Sequence, residues 1–235
     1  MILPALGNRW IGRAWVIAMD KTLKLQWIRE TGLIAILRSD STDHFLEIAD
    51  AIHHGGVKVI EVSMNTPGAL QAIERLTAYF GSNALIGAGT ALDSETARQA
   101  ILSGASFVVA PIMKVETIEL CRKYDIPILP GCLTPTEILT AWEAGADMVK
   151  VFPAELGGAN YICAIHEPLP QIALVPVGRV DLNNTAEYIR AGAVAVGVGG
   201  NLMNRALQKS MDLHEVTKLA ASYIAEVNKG RQLSN

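Results

Sequence analysis

The 235-residue sequence has few cysteines and no histidine cluster. Its three cysteines, Cys121, Cys132 and Cys163, are too few and too scattered for a disulfide scaffold, and none belongs to a CxxC pair. The five histidines form no HxxxH or HxH pattern, so we expect no His-liganded metal. This cysteine usage indicates a reducing compartment, and we predict a cytoplasmic location.

Charge and long apolar runs are also scarce. Twenty Lys and Arg against 23 Asp and Glu give a net charge of -3, which supplies no basic field for a nucleic-acid backbone. No stretch reaches the roughly 18 apolar residues of a membrane span, and Arg9 and Arg13 interrupt the apolar start. We therefore expect no nucleic acid, no membrane and no secretion signal. A net charge of -3 is still compatible with a small anionic ligand.

The first residues of the chain differ in pattern from the rest. Met19 opens MDKTLKLQWIRETG, which has the pattern of an amphipathic helix. We interpret residues 1–18 as an extension outside the core fold and residues 19–235 as one domain, since no linker or low-complexity run divides them.

One phrase recurs through that domain: a polar or amphipathic stretch ends at glycine, and a short β-branched run comes next. It occurs as Gly55-Gly56 before VKVIEVS, Gly104-Ala105 before SFVVAP, Gly145-Ala146 before DMVKVFP, and Gly192-Ala193 before VAVGVG. Glycine just past a helix end supplies the left-handed cap, and the apolar run is typical of a buried strand. Each phrase therefore predicts a helix-to-strand junction.

Four further apolar runs lie between these junctions: LIAIL at 33–37, ALIGAG at 84–89, IPILPG at 126–131 and IALVPVG at 172–178. The helical stretches after them have candidate N-caps at Thr42, Asp93, Thr134 and Asp181. Eight strands alternating with eight helices favour an α/β fold, a single (β/α)₈ TIM barrel with an extra N-terminal helix. A doubly wound open sheet is the alternative.

Two charged residues stand inside these apolar strands, Lys150 in MVKVF and Glu61 in VIEV. A lone buried charge is costly, so the pair needs an explanation. One reading is a structural ion pair, although such pairs are poor stabilisers. The other is catalytic: burial lowers the pKa of Lys150, the neutral amine forms a Schiff base with a ketone, and Glu61 moves protons.

The remaining candidates stand just after the strands, where the active site of such a barrel lies. Glycines at the last two strand ends would let backbone N–H groups reach a phosphate or another anion, unless they only form turns. Arg38 could pair with a carboxylate and Thr90 donate a hydrogen bond beside it, unless they only cap strands and face water. The candidate substrate contacts are Arg38, Asn65, Thr90, Pro111, Phe152, Gly178, Arg179, Gly199, Gly200 and Asn201.

A nucleotide cofactor is not indicated. The run Gly87-Ala88-Gly89 resembles a dinucleotide fingerprint, but Leu92 stands where the last glycine belongs. We predict that the protein needs no cofactor.

The segments LIAILR, IEVSMNTP, LIGAGT, ILPGCLTPTE, VKVFPAE and VGVGGNL stand in the order seen in class I 2-keto-3-deoxy-6-phosphogluconate (KDPG) aldolases, and the similarity spans about Leu33 to Leu202. The resemblance implies a (β/α)₈ barrel, usually a homotrimer, that cleaves KDPG to pyruvate and glyceraldehyde 3-phosphate. Many members also cleave 4-hydroxy-2-oxoglutarate (KHG) to pyruvate and glyoxylate. It also implies that Lys150 is the Schiff-base lysine, Glu61 the general acid/base, and Thr90 a contact of the pyruvyl group.

Three positions depart from the family pattern. Asn65 stands where gluconate-type enzymes carry arginine, and Asn-Thr-Pro with LIAILR looks closer to the 2-keto-3-deoxy-6-phosphogalactonate branch; carboxylate binding would then pass to Arg38. Arg179 replaces a common glycine and Asn201 a common serine, which alters the phosphate pocket. A phosphate-binding barrel without aldolase activity, either an isomerase or synthase or a ligand-binding protein, is the alternative, but it would not need a lysine inside a strand.

Overall fold

The structure, a computed structural model, describes residues 20–203 and 210–232, so the predicted extension over residues 1–18 lies outside the described residues. Parallel strands and helices alternate along the chain. The strands are β1 Leu33–Leu37, β2 Val59–Ser63, β3 Leu85–Gly89, β4 Val108–Val109, β5 Ile128–Leu129, β6 Gly131–Cys132, β7 Val149–Val151, β8 Leu174–Pro176 and β9 Val196–Val198. The helices are α1 Lys21–Thr31, α2 Phe45–His54, α3 Ala69–Phe80, α4 Ser94–Leu102, α5 Val115–Lys123, α6 Pro135–Glu143, α7 Gly158–His166, α8 Thr185–Arg190 and α9 Leu213–Gln232, with a 3₁₀ turn at Ala154–Leu156. No helix within the described ranges is long and apolar enough to cross a membrane.

The strands form a curled parallel sheet in two sections. One section has the order β5-β4-β3-β2-β1-β9 and the other β6-β7-β8. Only Pro130, which has no N–H to donate, separates β5 from β6, so one predicted strand appears as two short ones. At the other side a bridge between Val177 and Gly197 links the end of β8 to β9. Neighbours stand in chain order without the reversal of a doubly wound sheet, which removes that alternative.

Successive strand side chains point to opposite faces and build two apolar layers. Leu33, Ala35 and Leu37 of β1 belong to the larger layer, between strands and helices. Ile34 and Ile36 belong to a smaller layer on the inner side of the curled sheet, which we call the enclosed layer. Both layers exclude water, which explains why the strands are apolar on both faces.

Helix α1 confirms the predicted leading helix and covers one end of the enclosed layer. Its Ile28 is fully buried and packs in the enclosed cluster, with Leu25 and Trp27 beside it. Because α1 leads directly into β1, it covers the end where the strands begin. The enclosed space is therefore closed at that end.

The predicted junctions are present. The four glycines that precede strands β2, β4, β7 and β9 all have positive φ: Gly56 (95°), Gly104 (102°), Gly145 (96°) and Gly192 (101°). Only a residue without Cβ adopts these angles at no steric cost. The glycine-to-strand phrase is thus a true helix stop.

Two predicted caps are confirmed and two are wrong. Asp93 accepts the N–H of Thr96 at 2.7 Å, and Thr134 forms a capping box with Glu137. Thr42 is not a cap, because α2 begins at Phe45.

Asp181 is not the cap of α8 either. Its carboxylate accepts the N–H groups of Asn183 and Asn184 in the turn before that helix, at 2.8 and 3.2 Å. A side chain that bonds its own following turn delays the helix start.

The capping box allows a stability test. We expect Thr134→Ala to lower the free energy of unfolding by about 1 kcal/mol, because the N–H of Glu137 at the start of α6 loses its side-chain acceptor. The matched control is Thr136→Ala, an exposed threonine two residues into the same helix, which should stay within about 0.5 kcal/mol. Urea unfolding followed by circular dichroism measures both, and equal losses would contradict the cap.

Candidate active site

Lys150 and Glu61 share the enclosed side of the sheet. Lys150 lies between Val149 and Val151, which both pack toward the helices, so its own side chain faces inward. Glu61 lies between Ile60 and Val62, which also pack toward the helices. Only 6% of Lys150 and 2% of Glu61 are exposed. The register of strands thus brings two ionisable groups into one apolar interior.

Glycine on β3 makes room for the buried carboxyl group. A Cβ added at Gly89 would lie 1.6 Å from Oε1 of Glu61, a distance that no side chain can tolerate. Gly87, two residues earlier on the same face, lies under the ring of Phe107 in the same way. The Gly-Ala-Gly run therefore serves packing inside the sheet.

Burial shifts the pKa of each group in the direction that favours its neutral form. Desolvation raises the pKa of Glu61, and the positive charges of Lys150 and Arg38 only partly oppose it. Desolvation likewise lowers the pKa of Lys150; Glu61 opposes this shift and Arg38 adds to it. Within the described part of the chain no ion pair joins Lys150 to Glu61. An amine and a carboxyl group whose neutral forms are favoured are chemically able to act as a nucleophile and a proton donor.

Thr90 and Asn65 meet at Ser63, a residue that the sequence analysis missed. Ser63 Oγ donates to Asn65 Oδ1 at 2.8 Å, and the hydroxyls of Ser63 and Thr90 lie 2.7 Å apart. Since a serine hydroxyl has one hydrogen, Thr90 is the donor in the second bond. Ser63 is fully buried and stands two residues after Glu61, hence on the same face. That spacing is the signal that could have identified it.

A cavity of about 580 Å³ opens where the strands end. Of the predicted contacts, the following line it: Arg38, Phe152, Gly178, Arg179, Gly199, Gly200 and Asn201. Lys150 lies next to a residue of the cavity wall, because its Nζ is 4.8 Å from the ring centre of Phe152. Ile36 on β1 and Val177 after β8 form apolar wall.

The other predicted residues do not line this cavity. Glu61 lies in the middle of β2, Asn65 stands two residues after β2 ends, and Thr90 directly follows β3. Pro111 packs against β6 instead, since its carbonyl oxygen would lie 2.3 Å from a Cβ on Gly131.

The loops after β8 and β9 are tied together at one side of the cavity. The Asn201 amide donates to the carbonyl of Val180 at 2.7 Å, and Asn184 donates to the carbonyl of Arg179 at 3.1 Å. The backbone N–H groups of Arg179, Val180, Gly200 and Asn201 donate to no other described residue. Backbone N–H groups without a described acceptor, on residues that line a cavity, suit an anion.

Arg179 is held at the rim by Glu155. Its Nε lies 3.6 Å from Glu155 Oε1, and 85% of its side chain is exposed. Its φ of 48° is left-handed, the backbone conformation that favours the glycine common at this place in the family pattern. Glu155 was not among the predicted residues.

A metal site does not emerge from these groups. Within residues 20–203 and 210–232, no group of three or more His, Cys, Asp or Glu side chains could hold a metal ion.

Comparison with known proteins gives consistent matches. Residues 25–219 match the family described as "Aldolase: KDPG and KHG aldolase". The chain is 37% identical over 179 residues to the 2-dehydro-3-deoxy-6-phosphogalactonate aldolase of Escherichia coli, covering 76% of this chain and 87% of that protein. The solved "Native KDPGal structure" has a TM-score of 0.80 and 34% identity, covering 85% and 96%.

A second solved structure concerns the chemistry. It is the KDPG aldolase of Legionella pneumophila, with pyruvate captured as a covalent carbinolamine intermediate. Its TM-score is 0.78 at 27% identity, covering 85% of this chain and 97% of that one.

The charges around Lys150 predict opposite effects of two substitutions. Glu61→Gln removes the charge that raises the pKa of Lys150, so that pKa should fall further. Arg38→Met removes a charge that lowers it, so the pKa should rise. The measurement is the pH dependence of Lys150 labelling by trinitrobenzenesulfonate with peptide mapping, with exposed Lys218 as internal control. Shifts in the same direction would rule out electrostatic coupling.

Proposed function

The chain belongs to the KDPG and KHG aldolase family, and we propose that it cleaves a 2-keto-3-deoxy-6-phospho sugar acid through a Schiff base on Lys150. It is a carbon–carbon lyase of the class I, metal-independent type. The family match favours this reading over a phosphate-binding barrel without aldolase activity. The observation that carries the residue assignment is the buried lysine beside a buried carboxyl group.

The first half of the reaction forms the imine. Neutral Lys150 attacks the C2 ketone and gives a carbinolamine. Glu61, whose raised pKa keeps it protonated more readily, donates a proton to the hydroxyl group, which leaves as water. The resulting protonated imine withdraws electrons from the C3–C4 bond.

The second half breaks that bond. The Glu61 carboxylate takes the proton of the C4 hydroxyl group, and the C3–C4 bond breaks. The electron pair of that bond moves toward the imine and gives an enamine on Lys150, while C4 leaves as an aldehyde. Protonation at C3 and hydrolysis of the imine then release pyruvate and regenerate the amine. Gly89 keeps the carboxyl group free to face the substrate.

The two ends of the substrate would be held by different loops. We assign the carboxylate to Arg38 at the end of β1, assisted by Thr90. The phosphate would accept the four backbone N–H groups near Arg179 and Asn201 that donate to no described residue. KHG, which has no phosphate, is the second candidate substrate. The chemistry at Lys150 and Glu61 does not require the phosphate end of the substrate. The relatives named for phosphogalactonate and phosphogluconate support the phosphorylated substrate.

The finer architecture belongs to the same proposal. We infer that the two sheet sections close into one eight-stranded barrel, because Pro130 joins them at one side and the Val177–Gly197 bridge at the other. We further propose that residues 19–235 form this one domain and that the protein is a homotrimer. The trimer is supported by the family resemblance, and analytical ultracentrifugation would test it.

Trapping tests the nucleophile. Incubation with pyruvate and borohydride should leave a reduced pyruvyl adduct on Lys150, found by mass spectrometry and peptide mapping. Lys150→Arg should lose both the adduct and cleavage, because a guanidinium stays protonated. The control Lys218→Arg changes an exposed lysine and should keep both. An active, folded Lys150→Arg enzyme would contradict the mechanism.

Arg179 tests the phosphate end. Arg179→Ala should raise KM for a phosphorylated substrate by about tenfold, the size of one charge-assisted contact, and leave KM for KHG nearly unchanged. The matched control is Arg75→Ala, an exposed arginine on α3, which should change neither. Equal increases for both substrates would remove Arg179 from phosphate binding.

A further inference from the structure

A second cavity, of about 640 Å³, lies away from the candidate active site. We name it the basic pocket after Arg29, His166, Arg190 and Arg231, which line it. These residues stand in the last turns of α1, α7, α8 and α9. In this fold the helices end where the strands begin, so the basic pocket lies at the opposite end of the sheet from Lys150.

The charge of the basic pocket is one-sided. The chain carries a net charge of -3, yet three arginines and a histidine line this cavity and no described Asp or Glu does. Among the described residues none of the three arginines forms an ion pair with a carboxylate. Like charges that converge without a counter-charge repel one another, and an anion between them relieves that repulsion.

Arg231 is held in place with donors to spare. Its guanidinium donates to the backbone carbonyls of Arg29 and Glu30 at the end of α1. It lies over Gly32, where an added Cβ would be 2.6 Å from one of its nitrogens. A guanidinium has five N–H donors, so donors remain after these two contacts.

His166, which also lines the basic pocket, has an unsatisfied polar atom behind its ring surface. Its Nδ1 is buried and has no hydrogen-bond partner among the described residues. Its ring is packed against Gly192, where an added Cβ would lie 2.7 Å from Cδ2. A buried nitrogen without a partner costs free energy, which an ordered water would remove.

Stabilisation of helix ends explains part of this arrangement. Cations in a last turn interact favourably with the helix dipole, and Arg122 occupies such a position in α5. It also donates to the carbonyl of Ala144, the residue just past the end of α6. The dipole effect accounts for each basic residue separately. It does not account for the presence of four of them around one cavity that no described acid lines.

We propose that the basic pocket binds a small multivalent anion, a metabolite with two or more phosphate or carboxylate groups, independently of the catalytic cavity. Guanidinium groups bind such groups in bidentate fashion, and three of them fit a ligand with more than one anionic centre. Ile189 and Val194 contribute an apolar part of the wall, which suits the carbon skeleton of such a ligand.

Inorganic pyrophosphate is the probe. Isothermal titration of the full-length protein at constant ionic strength should show binding, and Arg29→Gln or Arg190→Gln should each weaken it by about tenfold. Both side chains are exposed, so the fold should persist, as circular dichroism will verify. The matched control is Arg122→Gln, which also removes a helix-end arginine and should leave the affinity unchanged.

A spectroscopic readout locates the site. The His166 ring resonances should shift with pyrophosphate and not with chloride at equal ionic strength. Absence of binding to the unaltered protein would overturn the proposal. So would a loss of affinity in Arg179→Ala with none in Arg29→Gln and Arg190→Gln, since pyrophosphate would then occupy the catalytic cavity alone.

Discussion

The constraint on which the active site depends is the removal of Lys150 and Glu61 from water. Desolvation is the largest influence on the pKa of both groups, and it favours the neutral form of each. The same burial that makes two charges a poor contribution to stability favours the neutral amine and the protonated carboxyl group that the proposed mechanism needs. Gly89 is part of this arrangement, because any side chain there would displace the carboxyl group.

The alternation of side chains along each strand separates stability from chemistry. Residues that face the helices form the larger apolar layer, and their neighbours form the enclosed layer. Helix α1 covers the end of the enclosed layer where the strands begin, so substrate access falls to the opposite end. In the proposed mechanism the strands carry the covalent chemistry, and the loops after β8 and β9 carry the substrate contacts. This division lets Arg179 and Asn201 depart from the family pattern without disturbing Lys150.

The direction of the helices explains why the two cavities differ in character. Where the strands end, backbone N–H groups of the loops lie near Lys150 and Glu61. Where the helices end, their last carbonyl groups have no partner within the helix and favour basic residues nearby. Helix α8 runs between the two regions: Asn184 before it holds the carbonyl of Arg179, and Arg190 near its end lines the basic pocket. Anion binding at both ends would use different donors, backbone at one end and guanidinium at the other.

The sequence by itself determined whatever depends on near neighbours in the chain. The glycine stops, the caps Asp93 and Thr134, and the anomaly of a charge inside an apolar run are all local, and they led to Lys150 and Glu61. The N-caps predicted at Thr42 and Asp181 were wrong, because side chains and turns just before a helix compete for the same N–H groups. Only the tertiary structure decided that Ser63 joins Asn65 to Thr90, that Gly89 accommodates Glu61, and that four helix ends meet in one basic pocket. These contacts depend on strand register and helix packing, which place residues far apart in the sequence within a few ångströms of each other.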